Sequence, residues 1–266
     1  MRIWHQSSTE IQGLGVYQRS LIEHAKHVLG SDATIDIHGI PLGTYGGRAP
    51  SDALGNLFVH HKVLEPVLAN AVRAEREGYG AFIIGSFSEP FLRELRSAVD
   101  IPVVSLTEAS LLVACSMGRY SAPVSNAPQT AWMTRMSVDA HGLGGRVLRV
   151  QCIDPPLEEP ALAEGFSNPG PVIASFKQSA QRAIDDGADV IIPAEGMLAE
   201  LLYANGVQRI GSAAVVDVFG TAWAYALMLA RLRERTGLTV GRAWQYRRDD
   251  PGFIQELASG EHGGTK

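Results

Sequence analysis

Two stretches decide the fold: Gly80-Ala81-Phe82-Ile83-Ile84-Gly85-Ser86 and, 108 residues later, Ala188-Asp189-Val190-Ile191-Ile192-Pro193-Ala194. Each follows a helical pattern closed by a glycine, Gly78 or Gly187, and each leads to a glutamate, Glu89 or Glu195, and a new helix. An apolar run that short, bounded by turn residues, reads as a parallel strand covered by helices on both faces. The spacing is too long for a solenoid repeat. It predicts two similar α/β lobes facing each other. In such sheets ligands bind beyond the carboxyl ends of the strands, so the loops at 85–90 and 193–197 are expected to meet at one cleft.

The flanking sequence fits the same plan. Residues 2–5 start a first strand, and Ala33–His38 alternates as a half-buried strand does. Between them Val16–Leu29 carries apolar residues at helical spacing, and a second apolar helix face runs from Val63 to Val72. Pro66 must sit in a first turn or kink that helix. Ile101–Val104, Val147–Ile153 and Val190–Ile192 read as further strands, and 219–233 as a long helix. Alternation of strand and helix predicts an α/β fold, with two pseudo-symmetric lobes, each a mainly parallel sheet flanked by helices, and the active-site cleft between them. The expected division is 1–104 plus 216–250 for lobe 1 and 105–215 for lobe 2, with 251–266 a partly flexible tail.

Composition narrows the function. The chain has 266 residues, 45% apolar and 19% charged, with a mean hydropathy of +0.02, enough to bury a full core and to exclude general disorder. A net charge of −5 argues against a nucleic-acid surface, which needs a clustered basic face. No apolar run reaches the ~18 residues of a membrane span, and Met1-Arg2-Ile3-Trp4 has no signal architecture. Two cysteines, Cys115 and Cys152, are too few for a disulfide framework and suit a reducing, cytoplasmic setting. Gly142-Leu143-Gly144-Gly145 is followed by a predicted strand and no Lys-Ser/Thr, so it is not a phosphate loop.

An ordered set of segments carries a family resemblance: Gly85-Ser86-Phe87-Ser88-Glu89-Pro90, Asp100–Val104, Glu108-Ala109, Val124–Pro128 and Asp189–Met197. Over roughly residues 1 to 245 the chain resembles the aspartate/glutamate racemase superfamily, most of all its hydantoin-racemase branch. The resemblance implies a racemase or isomerase acting by proton transfer on a small carboxylate or cyclic amide, a homo-oligomer, no pyridoxal phosphate and normally no metal. It also implies two cysteines, one per lobe, that face opposite sides of the substrate's α-carbon. Here those positions hold Ser86 and Ala194. A thiolate is accessible near neutral pH; alanine carries no proton, and a serine hydroxyl is a poor base unless something takes its proton. The two-thiol route is therefore closed. Cys115, in an apolar helical run, and Cys152, at the end of a strand, are expected to be core filler.

Glu195, Ser86 and Glu89 are the expected catalytic groups, since two carboxylates in different environments can divide acid and base work. A plainer reading stands beside each. Ser86-x-x-Glu89 before Pro90 is also a capping-box pattern, and Glu195 before a helix is placed to be held ionised, with weakened basicity. Ser7 and Ser8 follow the first strand, and Ser125 and Asn126 follow another. The resemblance implies that these positions hold the substrate's carboxylate or imide oxygen, although Ser and Asn are also ordinary turn residues. Tyr45 is a candidate pocket cap. Of the adjacent His60 and His61, about 100° apart if helical, His61 is taken as the one facing the cleft. Rival readings are a hydrolase or lyase, decarboxylase included, that uses Glu or Ser, and a non-catalytic small-molecule binder.

Overall fold

The computed structural model describes residues 1–260. Its first half runs β1 (Arg2–Ser7), α1 (Gly15–Leu29), β2 (Thr34–His38), α2 (Pro50–Leu54), α3 (Leu57–Leu64), α4 (Pro66–Arg76), β3 (Ala81–Gly85), α5 (Leu92–Ala98), β4 (Val103–Ser105) and α6 (Leu106–Met117). The second half runs β5 (Ser121–Ser125), α7 (Pro128–Ala140), β6 (Gln151–Cys152), α8 (Glu159–Gly165), α9 (Gly170–Asp185), β7 (Val190–Pro193), α10 (Gly196–Ala204), β8 (Arg209–Ile210), β9 (Ala213–Val215), α11 (Val218–Thr236) and α12 (Pro251–Ser259).

The strands form two sheets. One has the order β2-β1-β3-β4 and is parallel throughout. The other has the order β6-β5-β7-β9-β8, with only the β8–β9 pair antiparallel. The two echoed segments are β3 and β7, each interior to its own sheet. Successive residues of β3 face opposite sides. Ile83 joins a core shared with β7, α1, α6 and α11, and Phe82 and Ile84 pack with Trp4, Val67 and Leu95 on the other side. Pro66 occupies the first turn of α4, so the chain breaks after Leu64 instead of kinking.

Three expectations change. The strand foreseen over 147–153 contracts to Gln151–Cys152 and one isolated bridge between Ser121 and Val147. The Ser121 carbonyl accepts from Leu148 N and the Ser125 carbonyl from Ile153 N, so odd positions of β5 serve this edge. Pro123 is among them and has no N–H to give. Cys115 and Cys152 are both partly exposed, not core filler. Burial and nearby Asp154 push the Cys152 thiol up, away from thiolate. Within the expected tail, residues 251–259 form α12, which packs on α4; residues 261–266 lie outside the described residues.

A buried ionic group ties helices of the two halves together. His24 of α1 lies 2.8 Å from Glu200 of α10 and 2.9 Å from Asp217, which caps α11. The carboxylates outweigh desolvation and raise the His24 pKa. Glu200 is fully buried and also accepts from Ser20 Oγ at 2.5 Å. Removing His24 would leave Glu200 buried without a cation, so this group anchors α10, whose first turn borders the cleft.

Candidate active site

A cavity of about 550 Å³ opens where the carboxyl ends of both sheets meet. Ser7, Ser8 and Glu10 reach it after β1, Ser86 to Ser88 after β3, Asn126 after β5, and Glu195 to Met197 after β7. Leu14, Tyr17, Leu42, Phe87 and Met133 supply apolar wall. The position matches the general rule for parallel sheets, and the volume suits a small molecule.

Glu195 caps α10. Its carboxylate accepts Met197 N at 3.0 Å and Leu198 N at 2.7 Å. Helix-end amides favour the charged form, yet the Glu195 pKa is pushed up to about 7. Burial is the largest cause, the amides oppose it, and the negative charge of Glu159 adds to the rise. The expected weakening of its basicity is therefore corrected: desolvation wins over the helix end. At neutral pH the group both accepts and gives a proton readily.

Ser86 follows β3 at a crowded place. A side chain at Gly85 would meet His5 Nε2 at 2.4 Å, so only glycine fits there. Ser86 Oγ accepts from Ser88 N at 3.3 Å and lies 3.0 Å from Ser88 Oγ. The capping-box pattern does not form a helix start. Glu89 and Phe91 adopt left-handed backbone at φ 48° and 59°, and α5 begins only at Leu92. Glu89 turns away from the cavity. It accepts from Ser105 Oγ, from Glu108 N at 3.1 Å and from His141 Nε2 at 2.9 Å. Its surroundings make it an anchor of the loop, not a group facing substrate.

Several other expected residues are placed differently. Ser125 is fully buried beneath the cavity, where its hydroxyl donates to the Ala194 carbonyl at 3.3 Å. Asn126 does line the cavity, but its Nδ2 donates to Leu157 O at 2.8 Å and its Oδ1 accepts from Thr130 Oγ1. Tyr45 lines it too, and its hydroxyl donates to the Ser8 carbonyl, fastening the 43–48 loop. Ser7 Oγ pairs with Thr9 Oγ1 at 2.8 Å. His61 is exposed and stacks edge-on against Phe91, outside the cavity. His60 does not line the cavity either; it lies in a neighbouring groove, with its Nε2 3.1 Å from Ser88 Oγ. Neither Cys115 nor Cys152 borders the cavity.

Comparison with known proteins agrees with this architecture. The family model for Asp/Glu/hydantoin racemase matches residues 17–234. The chain belongs to that family. It is an isomerase of the superfamily, in which Ser86 and Ala194 stand at the positions the resemblance assigns to thiols. It is 25% identical over 212 residues to a hydantoin racemase of Pseudomonas sp. (strain NS671), covering 79% of this chain and 81% of that one. Among solved structures, an allantoin racemase from Klebsiella pneumoniae superposes with a TM-score of 0.76 at 18% identity, covering 94% of both chains. An allantoin racemase from Pseudomonas fluorescens gives 0.70 at 22% identity, over 94% of this chain and 98% of that one. These likenesses carry the fold.

Within this racemase-family cleft the charge is uneven. Glu10, Glu159 and Glu195 line it together with Arg48. Glu159 accepts from Ser51 N at 2.9 Å and Ser51 Oγ at 3.0 Å, bridging α8 to α2 across the opening. Glu10, drawn to the amides of the 43–45 loop, is held below the usual carboxylate range. Tyr17, Glu159 and the partnership of His60 with Ser88 escape sequence reasoning. Tyr17 sits on an apolar helix face where its ring alone explains it, and Glu159 meets Ser51 across 108 residues of chain. No described helix is long and apolar enough to cross a membrane.

Proposed function

We propose that this chain racemises a neutral cyclic amide of the hydantoin class, with Glu195 moving the α-proton on one face of the ring and Ser86 on the other. The observation that carries it is Glu195: a carboxyl one residue past the thiol-equivalent Ala194, inside the cleft, with its pKa pushed up to about 7. Such a group removes a proton as carboxylate and returns one as acid at the same pH. As the α-C–H bond breaks, its electron pair delocalises onto the adjacent carbonyl oxygen. The hydroxyl of Ser8 and the amide of Asn126 are assigned to the polar edge of the ring, with Ser7 holding Thr9 and Tyr45 closing the pocket.

The substrate class follows from charge. Glu10, Glu159 and a partly protonated Glu195 outweigh the one arginine, Arg48, in the cavity lining, so an amino dicarboxylate meets repulsion that an uncharged ring does not. The names of the hydantoin and allantoin racemases that resemble this chain support the same choice. We further assign a cytoplasmic setting, supported by the two unpaired cysteines. A homo-oligomeric state is supported by exposed Leu238, Trp244 and Leu257, away from the cleft. The lobes are drawn at 1–104 plus 216–250 and at 105–215.

Polarimetry with an enantiopure 5-alkylhydantoin, run beside L-aspartate, tests the function. Loss of rotation is expected for the hydantoin and not for aspartate. Unchanged rotation of the hydantoin, or faster racemisation of aspartate, overturns the assignment.

A further inference from the structure

The structure holds a chain of three polar side chains that leads out of the cleft. Ser86 Oγ borders the cleft and lies 3.0 Å from Ser88 Oγ, which lies 3.1 Å from His60 Nε2. Ser88 borders two cavities at once: the cleft, and an outer groove lined also by His60, Glu89, Trp132 and Met136. His60 is fixed on α3, a helix capped by Asn56, whose Oδ1 accepts from Phe58 N and Val59 N at 3.1 Å each. The Ser88 N–H donates to Ser86 Oγ, so charge developing on that oxygen meets a fixed dipole.

We propose that Ser86, Ser88 and His60 form a proton relay that lets Ser86 act as a base, with His60 in the outer groove as the terminal acceptor. This rests on Ser86 facing the substrate's α-carbon, as proposed above. As the α-C–H bond breaks, the proton passes to Ser86 Oγ. The Ser86 hydroxyl proton passes to Ser88 Oγ, and that of Ser88 to His60 Nε2. The electron pair of the C–H bond stays on the substrate as enolate, and the imidazole becomes imidazolium. Reversal returns a proton to carbon, and water in the outer groove exchanges the proton held on His60. Burial and the neighbouring His61 lower the His60 pKa, which keeps the resting imidazole neutral and able to accept. His60 touches no substrate; it acts only through the two serines. A hydroxyl drained in this way answers the difficulty that serine alone is a poor base.

The experiment compares H60A, S88A and the double variant, with S88T as the conservative rescue that keeps the hydroxyl. Relay function predicts a fall in kcat of about 100-fold in each single variant, with KM within twofold of wild type. The double variant should fall no further, because the parts act as one unit. Added imidazole should restore part of the rate in H60A and none in S88A, and S88T should recover at least part of the rate that S88A loses. A kcat within twofold of wild type in H60A, or losses that multiply in the double variant, overturns the relay. So does a covalent acyl adduct on Ser86. A readout independent of activity separates this from failure of the function itself: the 15N signal of His60 Nε2 should shift in S88A. If that shift appears while no hydantoin is racemised, the function fails and the hydrogen-bonded chain stands. If hydantoin is racemised and the signal does not move, the relay fails alone.

Discussion

The two strand ends that echo each other in sequence leave their sheets differently. After β7 the helix begins at once, with Glu195 as its cap. After β3 the chain makes an irregular turn with two left-handed residues before α5 starts at Leu92. The first exit places one half-buried carboxyl in the cleft, where desolvation pushes its pKa up to about 7. The second places a hydroxyl at the head of a hydrogen-bonded chain that runs outward to His60. In the function proposed above, each would supply a base near neutral pH where the family positions carry no sulfur, one by burial and the other by connection.

Breaking the carboxyl side should have the largest effect. Glu195→Gln keeps one of the two oxygens that accept from Met197 N and Leu198 N, so α10 retains one cap bond and the fold should persist while kcat for racemisation falls about 1,000-fold. Initial rates check this, and a rate near wild type removes Glu195 from the chemistry. Next comes the support under that exit. His24→Ala leaves Glu200 buried without its cation and should cost about 3 kcal/mol in denaturant unfolding. A cost under about 0.5 kcal/mol would show that α10 is anchored by other contacts.

A third effect is linked to pH. Glu195 in the folded chain is pushed up to about 7 from the 4.5 of an ordinary glutamate, so the folded state holds more protons between those values. Stability from this group is full at low pH and is lost as pH rises through that window. The loss is about 2 kcal/mol after allowing for solvent in the cleft. The His24 contribution is also lost with rising pH, through its raised pKa. Subtracting the Glu195→Gln profile from wild type isolates the Glu195 part, and a flat difference between pH 4.5 and 7 contradicts it. The smallest effect is expected at the other exit. Glu89→Gln weakens the bonds to Ser105, Glu108 N and His141 and should cost about 1 kcal/mol. A few-fold drop in kcat should follow as the Ser86 turn loosens; equal loss of kcat and stability in Glu195→Gln would erase the contrast between the exits.

The sheets and the cleft were legible in the sequence because both strands are short continuous apolar runs, a pattern that local chemistry alone produces. The residues that failed to transfer depend on information the sequence pattern lacks. Glu89 reads as a capping partner, but His141, 52 residues away, and Ser105 draw it out of any helix start. His61 and His60 are separated by one step of helix phase, and only the docking of α3 decides which meets Ser88. Ser125 and Asn126 are neighbours at a strand end, where adjacent side chains take opposite sides, so only Asn126 reaches the cavity. Local rules place Glu195 as a helix cap, correctly, yet its proton affinity is set by burial contributed from elsewhere. The cysteines sit on a helix flank and an edge strand, where an apolar context in sequence overstates burial.

Deuterium exchange at the α-carbon tests the two-base account most directly, with each enantiomer of a 5-alkylhydantoin incubated separately in heavy water. Ser86→Ala should abolish exchange of one enantiomer and Glu195→Gln that of the other, each sparing the opposite hand. Loss of both hands in either variant, or of neither in both, would contradict it.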